Sequence, residues 1–311
     1  MKTAFLFPGQ GSQSVQMGKD LYDNFKVAKM VFEEASDSIS INMARLCFDG
    51  PQSELALTRN TQPAVLTVSV AALKVFESES DLRPAVTAGH SLGEYSALVA
   101  AGALGTADAV KLVRHRGEFM QDAVPEGQGK MAAIIGLDGP KIDALVKEVS
   151  GETGRVVVPA NYNGPDQIVI SGHADAVEAA AERAEKEGAK RVVFLDVSAP
   201  FHSPLMKPAA DRLAEKLAET SFDKAETGVI SNVEAEIYSE PEKTRDLLER
   251  QVGSPVLWNR SMEKLGELEI ETALELGPGK VLTGLLRKIN RDIKCIPVGN
   301  LAGLKKALEL K

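Results

Sequence analysis

The pentapeptide Gly89-His90-Ser91-Leu92-Gly93 fits G-x-S-x-G, and its surroundings constrain the fold more than any other stretch of the chain. Residues 85–88 before it read as a strand, and residues 92–101 after it as a helix rich in small side chains. A serine on a sharp strand-to-helix turn belongs to an α/β architecture, with the reactive side chain presented at the C-terminal end of a strand. Glycines flank it because such a turn calls for positive φ and leaves no room for Cβ atoms. Ser91 then sits at a helix N-terminus, where backbone N–H groups and the helix dipole stabilise developing negative charge. The competing reading is a Gly-Ser turn that only caps a helix, and the strand and helix on either side favour the elbow.

Short apolar runs alternate with helical patterns along the rest of the chain, as expected for a parallel α/β sheet. Residues 3–7 read as a buried strand ending in the turn Pro8-Gly9-Gln10-Gly11-Ser12-Gln13. A helix is expected from Thr61, with Pro63 in its first turn. Residues 129–196 have a different rhythm: strand 131–135, helix 140–149, strands 155–160 and 167–171, helix 174–187 and strand 191–196. That order, β-α-β-β-α-β, is ferredoxin-like. It predicts a small domain, 129–196, inserted into a larger one made of 1–128 and 197–311, with Glu126-Gly127-Gln128-Gly129 and Ser198-Ala199-Pro200 as hinges. Towards the end, strand 272–276, the turn Gly277-Pro278-Gly279, helix 280–289 and strand 293–298 complete the large sheet.

A chain of 311 residues with 44% hydrophobic residues, 26 Gly and 15 Pro has the composition of a globular protein rather than of a disordered, collagenous or coiled-coil one. Its net charge of −8 argues against binding nucleic acid or anionic membrane by bulk electrostatics. The two cysteines, Cys47 and Cys295, are far apart and form no CxxC, so they suit a reducing compartment; no signal-peptide core or membrane span is apparent, and a cytoplasmic protein is expected. Nothing calls for a cofactor: no HExxH or His/Cys cluster suggests a metal, and Gly9-Gln10-Gly11 lacks the third glycine of a dinucleotide loop. The same loop instead suits a second backbone N–H for an oxyanion hole, the first coming from Leu92.

A serine hydroxyl needs a base. Of the four histidines, His90 adjoins Ser91 on the sharp turn and should point away from the pocket, while His115 and His173 fall in helical or helix-start stretches and read as surface residues. His202 lies in the proline-bracketed loop Pro200-Phe201-His202-Ser203-Pro204, just after an expected strand, where α/β folds place catalytic groups. Base and incidental loop histidine are evenly matched there until the other three are eliminated. On the helix expected over residues 106–123, Leu112, Val113, Arg116, Phe119, Met120 and Ala123 form one stripe, so a guanidinium interrupts a core-facing apolar face. A buried arginine needs an anionic partner, either an internal Asp or Glu or, beside a serine elbow, a carboxylate on the substrate.

These residues, together with Leu6-Phe7-Pro8-Gly9-Gln10-Gly11, Glu94, Ala199-Pro200-Phe201-His202-Ser203 and Gln251 ahead of Pro255-Val256-Leu257-Trp258, stand in the order in which the malonyl-CoA:acyl carrier protein transacylases carry them. The chain resembles that family, found also as acyltransferase domains of polyketide synthases, from Phe5 to the Gly277-Pro278-Gly279 turn. The resemblance implies an α/β-hydrolase-like large domain with a ferredoxin-like small one. It implies Ser91 as the acylated nucleophile, His202 as its base oriented by a main-chain carbonyl at Gln251, Gln10 and Leu92 as oxyanion donors, and Arg116 as the grip on the malonyl carboxylate. Met120 and Phe201 would shape the acyl pocket, Phe201 matching malonyl-selective members. Val252 stands where leucine is usual, a conservative departure.

The implied partners are malonyl-CoA and a holo acyl carrier protein, with no nucleic acid and no membrane; the oligomeric state is open, a monomer being the default. Because such carriers are acidic, docking needs a local basic patch, either Lys190 with Arg191 or Arg287, Lys288, Arg291 and Lys294, the latter equally readable as a solvated helix face. Two rival readings fit the same residues. A serine hydrolase would complete a triad with Asp166, Asp175 or Asp196, and would release malonate to water. A non-catalytic acyl-binding module would form no adduct on Ser91.

Overall fold

The computed structural model describes residues 2–197 and 199–310. Ser198, which falls in one expected hinge, lies outside the described residues, as do the two terminal residues of the expected large domain. Among the described residues the strands are β1 (Thr3–Phe7), β2 (Val86–Gly89), β3 (Gly129–Ile135), β4 (Val157–Gly164), β5 (Gln167–His173), β6 (Arg191–Phe194), β7 (Val229–Ile230), β8 (Ile237–Tyr238), β9 (Thr272–Leu276) and β10 (Lys294–Val298). Six of them form one sheet in the order β10-β9-β1-β2-β7-β8, parallel except for the β7–β8 pair. The other four form an antiparallel sheet in the order β4-β5-β3-β6, the ferredoxin-like arrangement of a β-α-β-β-α-β string. The α/β fold class read from the sequence is therefore met, with a large parallel sheet and a separate small antiparallel one.

β1 lies in the middle of the large sheet and is buried along its whole length, which is why it reads as a continuous apolar run rather than an alternating one. Its pleat still divides the core: Phe5 and Phe7 pack with the Thr58–Glu79 helix on one face, Ala4 and Leu6 with Trp258 and Met262 on the other. A third apolar cluster fills the space between the small sheet and its two helices.

Some boundaries differ from expectation for definable reasons. The helix expected from Thr61 begins at Thr58, so Pro63 lies inside it rather than in its first turn. Proline cannot donate to the Arg59 carbonyl, and Arg114 Nη1 donates to that oxygen instead at 3.0 Å. β4 runs from 157 to 164 rather than 155 to 160, and its Pro159 adjoins a register shift on an edge strand, where a missing N–H is tolerated. The two-residue strands β7 and β8 are too short to leave a period in the sequence.

The small sheet is tied to the large one by more than its two chain crossings. Val256 N donates to the Ala160 carbonyl and Tyr162 N to the Val256 carbonyl, both at 2.9 Å, so β4 pairs by its backbone with the segment after Gln251. Among the described residues no helix is long and apolar enough to cross a membrane.

Candidate active site

Ser91 stands two residues beyond the end of β2, and its φ of 52° places a non-glycine residue in the left-handed region. The positive φ expected of the flanking glycines belongs to the serine itself; Gly89 and Gly93 serve close approach. A Cβ on Gly89 would run into the Gly93 backbone, and one on Gly93 into the Phe7 carbonyl, so β1, β2 and the helix Gly93–Ala100 can meet only if both positions lack a side chain. The elbow is braced by Asn232, whose Oδ1 accepts the Ser91 backbone N–H at 2.6 Å while its Nδ2 donates to the Gly89 carbonyl at 2.7 Å.

His202 reaches the serine from the other side of the cleft, with its Nε2 2.8 Å from Ser91 Oγ. Its φ of 57° is also left-handed, held by a loop in which Ser203 Oγ donates to the Pro200 carbonyl. The other ring nitrogen, Nδ1, lies 2.9 Å from the Gln251 main-chain oxygen. A carbonyl can only accept, so Nδ1 carries the proton and Nε2 presents its lone pair to Ser91. Burial holds the imidazole far below its ordinary value, down to about 3, with the Arg116 charge adding to the effect, so the ring is neutral near pH 7 and able to accept a proton.

Arg116 is almost fully buried on the Thr106–Asp122 helix, as its stripe position predicts. Among the described residues no carboxylate bonds to it directly. Its Nη1 donates to Gln62 Oε1 at 2.8 Å, and its Nη2 donates to Gln251 Oε1 and to Ser91 Oγ, each at 3.0 Å. Its Nε has no hydrogen-bond partner among the described residues. Gly117 makes this arrangement possible, since a Cβ there would lie 2.8 Å from both Arg59 Cα and the Thr58 carbonyl oxygen. The close crossing of the two helices brings Gln62 beside Arg116.

One cavity gathers seven of the eight residues singled out from the sequence: Gln10, Ser91, Leu92, Arg116, Met120, Phe201 and His202. Gln251, the eighth, stands behind Arg116 rather than in the wall. The small sheet and its exit supply Met131, Asn161, Leu195 and Val197 to the same cavity, so the site lies between the two sheets. His90 also lines it, against expectation: Nε2 is 2.7 Å from Asn163 Oδ1 and the ring packs on Trp258, which turns it towards the small sheet. The Gln10 side chain donates to Thr58 Oγ1 at 3.3 Å, and among the described residues the backbone N–H groups of Gln10 and Leu92 are not spent on a protein acceptor. His115 and His173 lie away from the cavity. Of the aspartates a hydrolase triad would need, none meets His202, whose second nitrogen is already on a main-chain carbonyl. Gln62, Glu94, Asn232 and Tyr238 are site residues that the motifs alone do not show as partners. Among the described residues, no group of three or more His, Cys, Asp or Glu is placed to hold a metal.

A serine at an elbow, a neutral histidine on its hydroxyl and a buried guanidinium facing the same oxygen describe an acyl-transfer site with a place for an anion. The chain belongs to the acyl transferase domain family, whose model matches residues 4–310. Among its relatives, the malonyl CoA-acyl carrier protein transacylase of Bacillus subtilis strain 168 is 50% identical over 99% of this chain and 96% of the relative. The protein of the same name from Escherichia coli K12 is 46% identical over 99% of both. The malonyl CoA-acyl carrier protein transacylase structure from Coxiella burnetii superposes with a TM-score of 0.97 at 42% identity, covering 99% of this chain and 97% of that one. A type II polyketide acyl-carrier protein in complex with its malonyl-transacylase gives 0.97 at 44% identity, with both chains fully covered.

Proposed function

We propose that this chain carries a malonyl group from malonyl-CoA to the phosphopantetheine thiol of an acyl carrier protein, through a malonyl ester on Ser91. The observation that carries the reading is the placement of Arg116 Nη2 at 3.0 Å from the Ser91 hydroxyl, in the same cavity as the His202 imidazole. A malonyl group has a carboxylate two bonds from its reacting carbonyl, so one end of the substrate meets the guanidinium while the other meets the nucleophile.

In the first half-reaction the Ser91 hydroxyl proton passes to His202 Nε2 as Oγ bonds to the thioester carbon. The tetrahedral oxyanion is received by the backbone N–H groups of Gln10 and Leu92, and collapse breaks the carbon–sulfur bond, the sulfur leaving with the proton from His202. In the second, the carrier thiol gives its proton to His202 and its sulfur attacks the serine ester; collapse returns the proton to Ser91 Oγ. No other proton carrier is needed, because the Gln251 carbonyl keeps the imidazole in the one tautomer that serves both halves. Met120 and Phe201 limit the width of the acyl pocket, and a smaller residue in place of Phe201 makes room for a branched malonyl.

The insertion of residues 129–196 between 1–128 and 197–311 gives the site its two walls. Lys190, Arg191, Arg287, Lys288, Arg291 and Lys294 are exposed, and among the described residues none of the six forms an ion pair, which leaves them available to an acidic carrier. Two free cysteines, Cys47 buried and Cys295 half-buried, suit a cytoplasmic enzyme.

Intact-mass analysis tests the reading. Wild type incubated with malonyl-CoA gains one malonyl group, Ser91→Ala gains none, and added holo carrier protein removes it. Rapid loss of the adduct to water without carrier would favour a hydrolase.

A further inference from the structure

Glu94 is buried in the first turn of the Gly93–Ala100 helix and takes no part in the proton transfers above. Its Oε1 accepts the Tyr238 hydroxyl at 2.8 Å; its Oε2 accepts Gln251 Nε2 at 2.7 Å and the Asn232 backbone N–H at 3.2 Å. A guanidinium only donates, and Glu94 already accepts from Tyr238 and Asn232, so the Gln251 carboxamide turns its oxygen towards Arg116 and its NH₂ towards Glu94. The same NH₂ donates to the Ser91 carbonyl at 3.1 Å, and the oxygen accepts Arg116 Nη2. Turned over, the carboxamide would set NH₂ against guanidinium, donor against donor. Glu94 and Arg116 are thus a buried acceptor and a buried donor with one amide between them, and that amide has a single orientation that satisfies both.

We infer that Glu94 is a positioning residue that fixes the Gln251 carboxamide and, through it, aims the Arg116 guanidinium at the acyl carboxylate. It contributes in this way to selection of a carboxylate-bearing acyl group. The inference rests on the malonyl reading above. Tyr238 and Asn232 complete the shell of donors, and Asn232 joins the same carboxylate to the Ser91 elbow.

The test measures initial rates of malonyl and acetyl transfer from their CoA thioesters to holo carrier protein, for wild type, Glu94→Gln and Glu94→Met. Gln keeps the shape of the side chain but adds a donor, and Met keeps the volume but removes both acceptors. The malonyl-to-acetyl ratio of kcat/KM is expected to fall by about tenfold or more in each folded variant, the scale of a lost hydrogen bond to a charged group. In a Gln251→Ala background, Glu94→Gln is expected to change the ratio no further. A merely structural role would lower both transfers together. An unchanged ratio, an undiminished effect in the Gln251→Ala background, or failure of both variants to show the native melting transition would each overturn the inference. Failure of wild type to transfer malonyl would instead sink the function on which it rests.

Discussion

His202 Nδ1 is 2.9 Å from the main-chain oxygen of Gln251, while the side chain of that same glutamine holds Arg116 at 3.0 Å. One residue thus holds the proposed base through its backbone and the proposed anion grip through its side chain, and the two contacts separate under mutation. Gln251→Ala keeps the carbonyl and so the tautomer, but leaves the buried guanidinium short of an acceptor. Steady-state kinetics should show malonyl kcat/KM lowered by roughly 2 kcal/mol, about thirtyfold, with acetyl transfer much less affected. Equal losses for both would show that the side chain also holds the base.

Arg116→Ala removes the charge that, on the proposed function, meets the substrate carboxylate. Loss of one partner of a buried ion pair costs about 3 kcal/mol, so malonyl transfer should fall by roughly a hundredfold or more. Uncharged acyl thioesters should be kept or gained. The check is the rate of adduct formation on Ser91 with malonyl-CoA and acetyl-CoA side by side, and parallel loss would remove Arg116 from selectivity.

The pH profile follows from the depressed His202. Burial first, and the Arg116 charge second, hold the folded imidazole below its ordinary range. The base is therefore neutral and active through the mildly acidic region, and activity is lost only as pH falls towards its lowered value. The acid limb of kcat/KM for acylation should lie well below pH 6.5, the ordinary histidine range. It should move upward in Arg116→Ala, where one cause of the depression is gone, read with an acetyl substrate. A limb near 6.5 in wild type would contradict the burial argument. Glu94, raised to about 7 by burial, has the opposite linkage for stability: its folded value lies above its unfolded one, so its contribution is largest below the ordinary carboxylate range and declines as pH rises through 7.

Gly117→Ala probes the helix crossing without touching the cavity. The added Cβ meets backbone of the Thr58–Glu79 helix, which cannot give way as a flexible side chain would. A loss of about 1–3 kcal/mol is expected, seen as a melting transition several degrees lower. Separation of Gln62 from Arg116 should lower malonyl preference as well. A variant with unchanged melting and unchanged preference would show that the crossing has slack.

The elbow was legible because everything that makes it is local: a strand, two glycines, a serine and a helix within residues 86–100. Arg116 was legible because a charge on an apolar stripe contradicts its surroundings. The same criterion applied to Glu94, on a helix otherwise made of small and apolar residues, would have pointed to a buried carboxylate. Gln62 and Asn232 leave no such trace. A polar residue inside an ordinary helix or beside a two-residue strand is informative only once another element, here the Arg116 helix or the elbow, has been brought against it. Met120 and Gln62 meet only through that approach, with Gln62 Nε2 3.8 Å from the methionine sulfur. His90 shows the converse error, since local turn geometry set its direction without regard to the Asn163 waiting on the other sheet.

The pairing of Ala160 and Tyr162 with both sides of Val256 joins the small sheet to the segment after Gln251 through peptide groups. Asn161, between them, faces the cavity from a position that no side-chain exchange elsewhere needs to maintain. That link between the walls belongs to the main chain, whereas the lining belongs to side chains. A substitution at Phe201 or Met120 therefore changes the lining while leaving this backbone link between the walls in place.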